Sequence, residues 1–288
     1  MTKQVVALAG VTNIGKTGWL LLMAERNPEL PFYILDTQNR VAAVAAGVTI
    51  DGKVPSNVEY FAIDEANEEQ HPIEQGKAWM KEVVIPAAKE GTIVYCVDMV
   101  GKVWDWARDF YVWKQTGKHQ ADLDSKAGKS GVKTDFNVGI DDQHSWSRIK
   151  GWHNDLVYVP INSPLFDKAH VLLTSAVRDM RTDPKNPLRD KDEDVITMWK
   201  HFGQVLPESE KHLTYEAYTV LGQDFTVGEA LQRKHRITLI KDMKRGRSDS
   251  IEFFRKETLD VDSDGMWDVW GTYCRLRGVE STDLGVIE

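Results

Sequence analysis

The sequence predicts an α/β fold: a mostly parallel sheet flanked by helices, with an antiparallel pair of strands toward its C-terminal end. Three observations carry this. An apolar run at residues 5–9 leads into Gly10-Val11-Thr12-Asn13-Ile14-Gly15-Lys16-Thr17, which satisfies GxxxxGK[ST] at every defined position and precedes a helix-like stretch at 19–26. Further apolar strand-like runs alternate with helix-like stretches along the chain, as layered α/β sheets require. Late in the chain, 213–221 and 235–242 read as two strands separated only by a turn-rich segment.

The loop motif dictates its own chemistry. Gly10 and Gly15 allow a sharp backbone path along which successive N–H groups and a helix N-terminus face an anion. Lys16 would reach the β- and γ-phosphates and the Thr17 hydroxyl would hold Mg²⁺, with Thr12, Asn13, Ile14 and Gly18 completing the nucleotide-binding stretch. ATP and Mg²⁺ are therefore the expected ligands.

Taken in order, 31–37 is a second strand ending in Asp36-Thr37. Residues 41–59 carry alanine, valine and glycine with a turn at Pro55, and 60–63 is a short strand. A helix spans about 73–89, bent or interrupted at Pro86. The strand at 91–98 closes on Asp98, a carboxylate suited to ordering Mg²⁺. The helix at 101–116 is crowded with Trp104, Trp106, Phe110, Tyr111 and Trp113; the 106, 110, 113 spacing marks one face, for core packing ahead of base stacking.

Residues 114–133 hold three glycines and five lysines with almost no apolar bulk. They read as a basic loop, either a solvated insertion or a segment tracking a nucleic-acid backbone. A second amphipathic helix covers 143–159 and stops at Pro160 and Pro164. The strand at 169–177 carries Thr174 and Ser175, either structural or placed to sense a γ-phosphate. A polar loop at 178–191 follows. Lys241, Lys244, Arg245 and Arg247 then form the densest basic cluster. Asp260 to Gly265 copies half of an EF-hand loop, but Gly271 stands where the bidentate Glu belongs, so the segment is expected to cap a terminal helix.

Composition narrows the function classes. Lysines and arginines number 36 against 44 acidic residues, a net charge of −8, so any nucleic-acid contact must be local. No apolar run approaches the roughly 20 residues of a membrane span. Two cysteines without a CxxC pair argue against a disulfide framework or a zinc site and for an intracellular setting. No cleavable signal is expected, because the first strand begins almost at once.

The order of these features resembles the RecA-like P-loop ATPases over most of the chain, in particular the compact RecA-like recombinases of bacteriophages. The resemblance implies a single ATPase domain over 1–288 in the host cytoplasm, with a basic insertion at about 114–143 and a C-terminal helical segment at about 257–288. It also implies a homo-oligomer acting on single-stranded DNA in recombination or replication. Lys241, Lys244, Arg245 and Arg247 occupy the place from which such subunits reach a neighbour's ATP site. Lys118, Lys126, Lys129, Lys133, Arg178, Arg181, Lys185 and Arg189 lie in the loops nearest DNA. The family's water-activating glutamate falls at Gln38, leaving Gln38 to orient water or Asp36 to act as base. The filament-linking segment before the first strand is not expected, so ring, filament and monomer all stay open. A nucleotide kinase with 178–191 as its lid, an ATP-gated assembly module and a DNA-packaging motor are the alternatives.

Overall fold

The computed structural model describes residues 3–11, 14–123, 143–179, 199, 205–208, 212–227, 233–242 and 257–261. The chain builds β1 (Val5–Gly10), β2 (Phe32–Asp36), β3 (Val58–Ala62), β4 (Val94–Asp98) and β5 (His170–Ser175). There follow β6 (Val177–Asp179), β7 (Val205–Pro207), β8 (Thr219–Val227), β9 (Arg233–Asp242) and β10 (Glu257–Val261). Eight of these form one sheet in the order β10-β9-β8-β1-β5-β4-β2-β3, while β6 and β7 pair as a separate ribbon. Every pairing from β8 to β3 is parallel, and β9 runs antiparallel between β8 and β10. A single strand, β5, therefore separates the strand bearing the phosphate loop from the strand ending in Asp98. This is the mostly parallel, helix-flanked sheet with an antiparallel C-terminal pair expected from the sequence.

Helices cover both faces, which is why the central strands are buried at every position instead of at alternate ones. The helices are α1 (Lys16–Arg26), α2 (Val41–Val48), α3 (Pro72–Trp79), α4 (Ile85–Glu90), α5 (Val100–Thr116), α6 (Gln143–Val157), α7 (Val159–Asn162) and α8 (Leu213–Glu216). Val6 and Leu8 of β1 pack with Trp19, Leu20 and Met23 of α1 on one face. Val5 and Ala7 join Ile73, Trp106, Phe110, Ile149 and Leu156 from α3, α5 and α6 on the other. Trp106 and Phe110 are buried and Trp113 packs partly buried against the same cluster, so the 106, 110, 113 face of α5 is turned to the core, as expected. Among the described residues no helix is long and apolar enough to cross a membrane.

Several boundaries differ from the expectation, each for a local reason. Residues 41–48 are helical, although their alanine-valine composition carries no polar face. The helix begun at Pro72 breaks at a π turn, Met80–Val84, one turn ahead of Pro86, whose missing N–H leaves the preceding carbonyls to find wider partners. Pro160 opens the short α7 instead of only stopping α6. Residues 213–216 form a helical turn, and the strand expected there begins at Thr219. The segment expected to be helical from 257 opens with β10, and 114–116 belong to α5 instead of the insertion.

Candidate nucleotide site

The strand-to-helix turn after β1 is described at Gly10, Val11 and from Ile14 onward; Thr12 and Asn13 lie outside the described residues. Gly15 has φ 101°, a left-handed conformation that a side chain would strain, and it stands immediately before α1. Lys16 folds back along the loop, its Nζ donating to the carbonyls of Gly10 (2.9 Å) and Val11 (2.8 Å). Burial lowers its pKa to about 8, against the opposing pull of Asp98 and Glu208.

Asp98 ends β4 fully buried, and two hydroxyls hold it. Thr17 Oγ1 donates to one carboxylate oxygen at 2.6 Å and Thr174 Oγ1 donates to the other. Burial pushes the Asp98 carboxyl up, and the two hydroxyls with Lys16 pull it back. The main chain around it is tied to β2, since Thr37 Oγ1 donates to the Asp98 carbonyl (2.8 Å) and accepts from the Met99 N–H (2.8 Å). A hydroxyl and a buried carboxylate are hard oxygen donors in contact across the loop, and that set fits Mg²⁺.

Four of the sequence candidates hold partners within the chain. Asp36 is buried, and its carboxylate accepts from the backbone N–H groups of Gln38 (3.2 Å), Arg40 (3.1 Å) and Val41 (2.9 Å), capping α2. Its carboxylate is engaged by three backbone donors of its own turn. Thr174 steadies Asp98 instead of facing a phosphate, and Ser175 Oγ donates to the carbonyls of Ala176 (2.8 Å) and Glu208 (3.1 Å). Lys241 is also buried. Its Nζ donates to the carbonyls of Thr214 (2.9 Å), Tyr215 (2.7 Å) and Ala217 (2.8 Å) within its own chain.

The loop opens into a cavity of about 350 Å³ walled by Lys16, Thr17, Gln38, Arg40, Met99 and Glu208 among others. Gln38 is exposed there. The cavity shares Gln38, Met99 and Glu208 with a larger cleft of about 650 Å³. In that cleft Trp104 and Trp146 stack with centroids 6.3 Å apart and planes 15° apart, alongside Arg108, Lys150 and Arg178. Trp146 is 38% exposed. Arg178 thus joins the site, while Lys118 is exposed past the end of α5 and lines neither cavity. Lys126, Lys129, Lys133, Arg181, Lys185, Arg189, Lys244, Arg245 and Arg247 lie outside the described residues. Arg40 and Glu208 were not foreseen. Arg40 stands two residues after Gln38 in the same turn, a signal that was available; Glu208 follows Pro207 with no motif to mark it.

Away from the loop, His71, Asp109 and His119 bring their ligand atoms within 4.8 Å of one another. The His71 Nδ1 accepts from the Ile73 N–H (3.2 Å), so its hydrogen sits on Nε2 and is donated to Asp109 (3.1 Å). The same carboxylate meets His119 Nδ1 (2.6 Å) and accepts from the Gln120 N–H (2.6 Å). The trio is a hydrogen-bonded clamp between α3 and the end of α5; a metal on Nε2 would require the proton on the nitrogen that the Ile73 amide occupies.

No family model and no curated protein sequence matches the chain. Among solved structures, the RadB recombinase is similar over 92% of this chain and 90% of its own, with a TM-score of 0.44 and 11% identity. A prototypical ATPase from the type III secretion system of pathogenic bacteria is similar over 77% of this chain and 52% of its own, with a TM-score of 0.40 and 9% identity.

Proposed function

We propose that the chain is a single-domain, Mg²⁺-dependent ATPase that acts on single-stranded DNA as a homo-oligomer, in recombination or replication. The observation that carries the ATPase part is the convergence of Lys16, Thr17, Asp98 and Thr174 at the mouth of one loop. Lys16 would move from its own loop carbonyls to the phosphates, exchanging two neutral acceptors for charged ones. Thr17 and Asp98 would hold Mg²⁺, which when bound neutralises charge on the β- and γ-phosphates. Thr174 fixes the Asp98 carboxylate, and Thr37 fixes the strand end behind it.

The cleft supports the DNA part. An exposed tryptophan face suits a base of any sequence, and Arg108 and Arg178 suit phosphates, the combination that single strands require. It supplies local positive charge on a chain whose net charge is negative. The phage setting and the host cytoplasm follow from the resemblance carried by the motif order and belong to this proposal.

The test is ATP hydrolysis with and without single-stranded DNA in the wild type, Lys16→Ala and Trp146→Ala. Stimulation by DNA that disappears in Lys16→Ala supports the proposal. In Trp146→Ala the DNA concentration for half-stimulation rises about tenfold, the loss of one stacked base. Hydrolysis indifferent to DNA would refute the DNA part. The direct opening of the cleft onto the phosphate cavity also favours a second reading, a nucleotide kinase with its acceptor in the cleft. Phosphate transfer to a nucleoside without DNA would establish that instead.

A further inference from the structure

Hydrolysis needs a group that orients the attacking water and accepts its proton, and the positions that ought to supply one do not. Gln38 is a neutral amide. Asp36 is spent on the backbone of α2, and Asp98 on Thr17 and Thr174. Of the described residues that wall the phosphate cavity, Glu208 alone carries a carboxylate.

Its backbone is held on three sides. The Glu208 N–H donates to the Ala176 carbonyl at 2.7 Å, extending the β6–β7 ribbon by one residue. Its carbonyl accepts from Ser175 Oγ at 3.1 Å, at the end of the strand that also carries Thr174. The same carbonyl lies against the start of α5, where a Cβ added to Gly101 would collide with it. Any side chain at 101 would drive Glu208 away, so the glycine is what lets the two segments meet three residues after Asp98. The side chain is otherwise placed. It is exposed to the cavity, and among the described residues its carboxylate has no hydrogen-bond partner. A fixed root with a free head facing the loop lysine is the arrangement that a general base needs.

We propose that Glu208, which walls both the phosphate cavity and the larger cleft, orients and deprotonates the attacking water in place of an acidic residue at position 38. This rests on the ATPase reading. In the step, the water oxygen bonds to the γ-phosphorus and the bond from that phosphorus to the bridging oxygen breaks. ADP leaves with that electron pair. The water proton passes to the Glu208 carboxylate and from there to inorganic phosphate or solvent. Because Glu208 also walls the larger cleft, a strand lying there would meet the residue that sets the hydrolysis rate.

The test measures kcat and the ATP dissociation constant in the wild type, Glu208→Gln, Glu208→Asp and the double variant Glu208→Gln/Gln38→Glu, with Lys16→Ala as the loop control. Glu208→Gln is expected to lose kcat by about 100-fold or more while ATP affinity stays within about threefold. Glu208→Asp retains part of the rate, and Gln38→Glu restores part of it from the family's usual position. Wild-type turnover that survives in Glu208→Gln within about threefold overturns the role while leaving the ATPase reading intact. A loss confined to ATP affinity also overturns it, since that assigns Glu208 to balancing Lys16. A wild type that binds ATP and hydrolyses none overturns the ATPase reading, and the role falls with it.

Discussion

Replacing Lys241 with methionine keeps most of the side chain and removes only the ammonium, and the structure sets the expected cost. Three carbonyls at the end of α8 accept from Nζ, at 2.7–2.9 Å. Thr214 and Tyr215 belong to a four-residue helix and Ala217 is its C-cap, so their carbonyls have no partners along the helix. Methionine leaves these three carbonyls without that donor, and a buried acceptor left unsatisfied costs about 1–3 kcal/mol. Part of the loss is offset because methionine carries none of the desolvation cost that, against the pull of Glu216, lowers the Lys241 pKa to about 8. The expected loss of stability is about 3 kcal/mol. Equilibrium urea denaturation of the two proteins, followed by tryptophan fluorescence, measures it. An unchanged midpoint would refute the reasoning. If the variant also lost ATPase activity per folded molecule, Lys241 would return to the role of a cation reaching a neighbouring site.

Two further predictions concern pH. Lys16 titrates at about 8 in the free protein, chiefly through burial, whereas phosphate binding needs the ammonium. ATP affinity should therefore be level below about pH 8 and fall about tenfold per unit above it, with proton uptake on binding at pH 9 and none at pH 7 by calorimetry. A flat affinity from pH 7 to 9 would contradict this. Burial pushes Asp109 up, but the hydrogen bonds from His71, His119 and Gln120 outweigh it and hold the carboxyl at about 2. The folded pKa lies below the unfolded one, so this contribution, about 2 kcal/mol, is complete above about pH 4 and lost as pH falls through about 2. Asp109→Asn should be less stable by about that amount at pH 7, with the gap closing in acid; equal acid-unfolding midpoints would count against it.

The parts of the site that the sequence displayed are those whose residue types are dictated by the backbone path. The glycine before Lys16 is required by a left-handed turn, and Asp98 stands out because an otherwise apolar buried strand ends in a charge. Thr174 was visible as a hydroxyl at a strand end, but its partner was not. The β4–β5 register, with Val97 opposite Leu173, brings Asp98 and Thr174 side by side, and register is invisible in one strand alone. The α2 helix went unseen because its cap is the side chain of Asp36, on the preceding strand. Leu213-Thr214-Tyr215-Glu216 favours a strand by composition and is closed into a turn by Lys241, which arrives from β9. Glu208 gains its meaning from Gly101, a residue on another element far earlier in the chain.

The position of β1 in the sheet bears on how the protein is made. Both neighbours of this strand, β5 and β8, come from the later part of the chain, pairing Val5 with Val171 and Val6 with Thr219. The ribosome therefore delivers the phosphate loop before the two strands that support it. A nascent chain that stops short of residue 170 holds β1 with two open edges, a template for pairing with other chains. One that stops between β5 and β8 still leaves one edge open. Assembly of the site depends on contacts of long sequence separation, which slows folding, and the apolar first strand needs shelter until most of the protein has been synthesised.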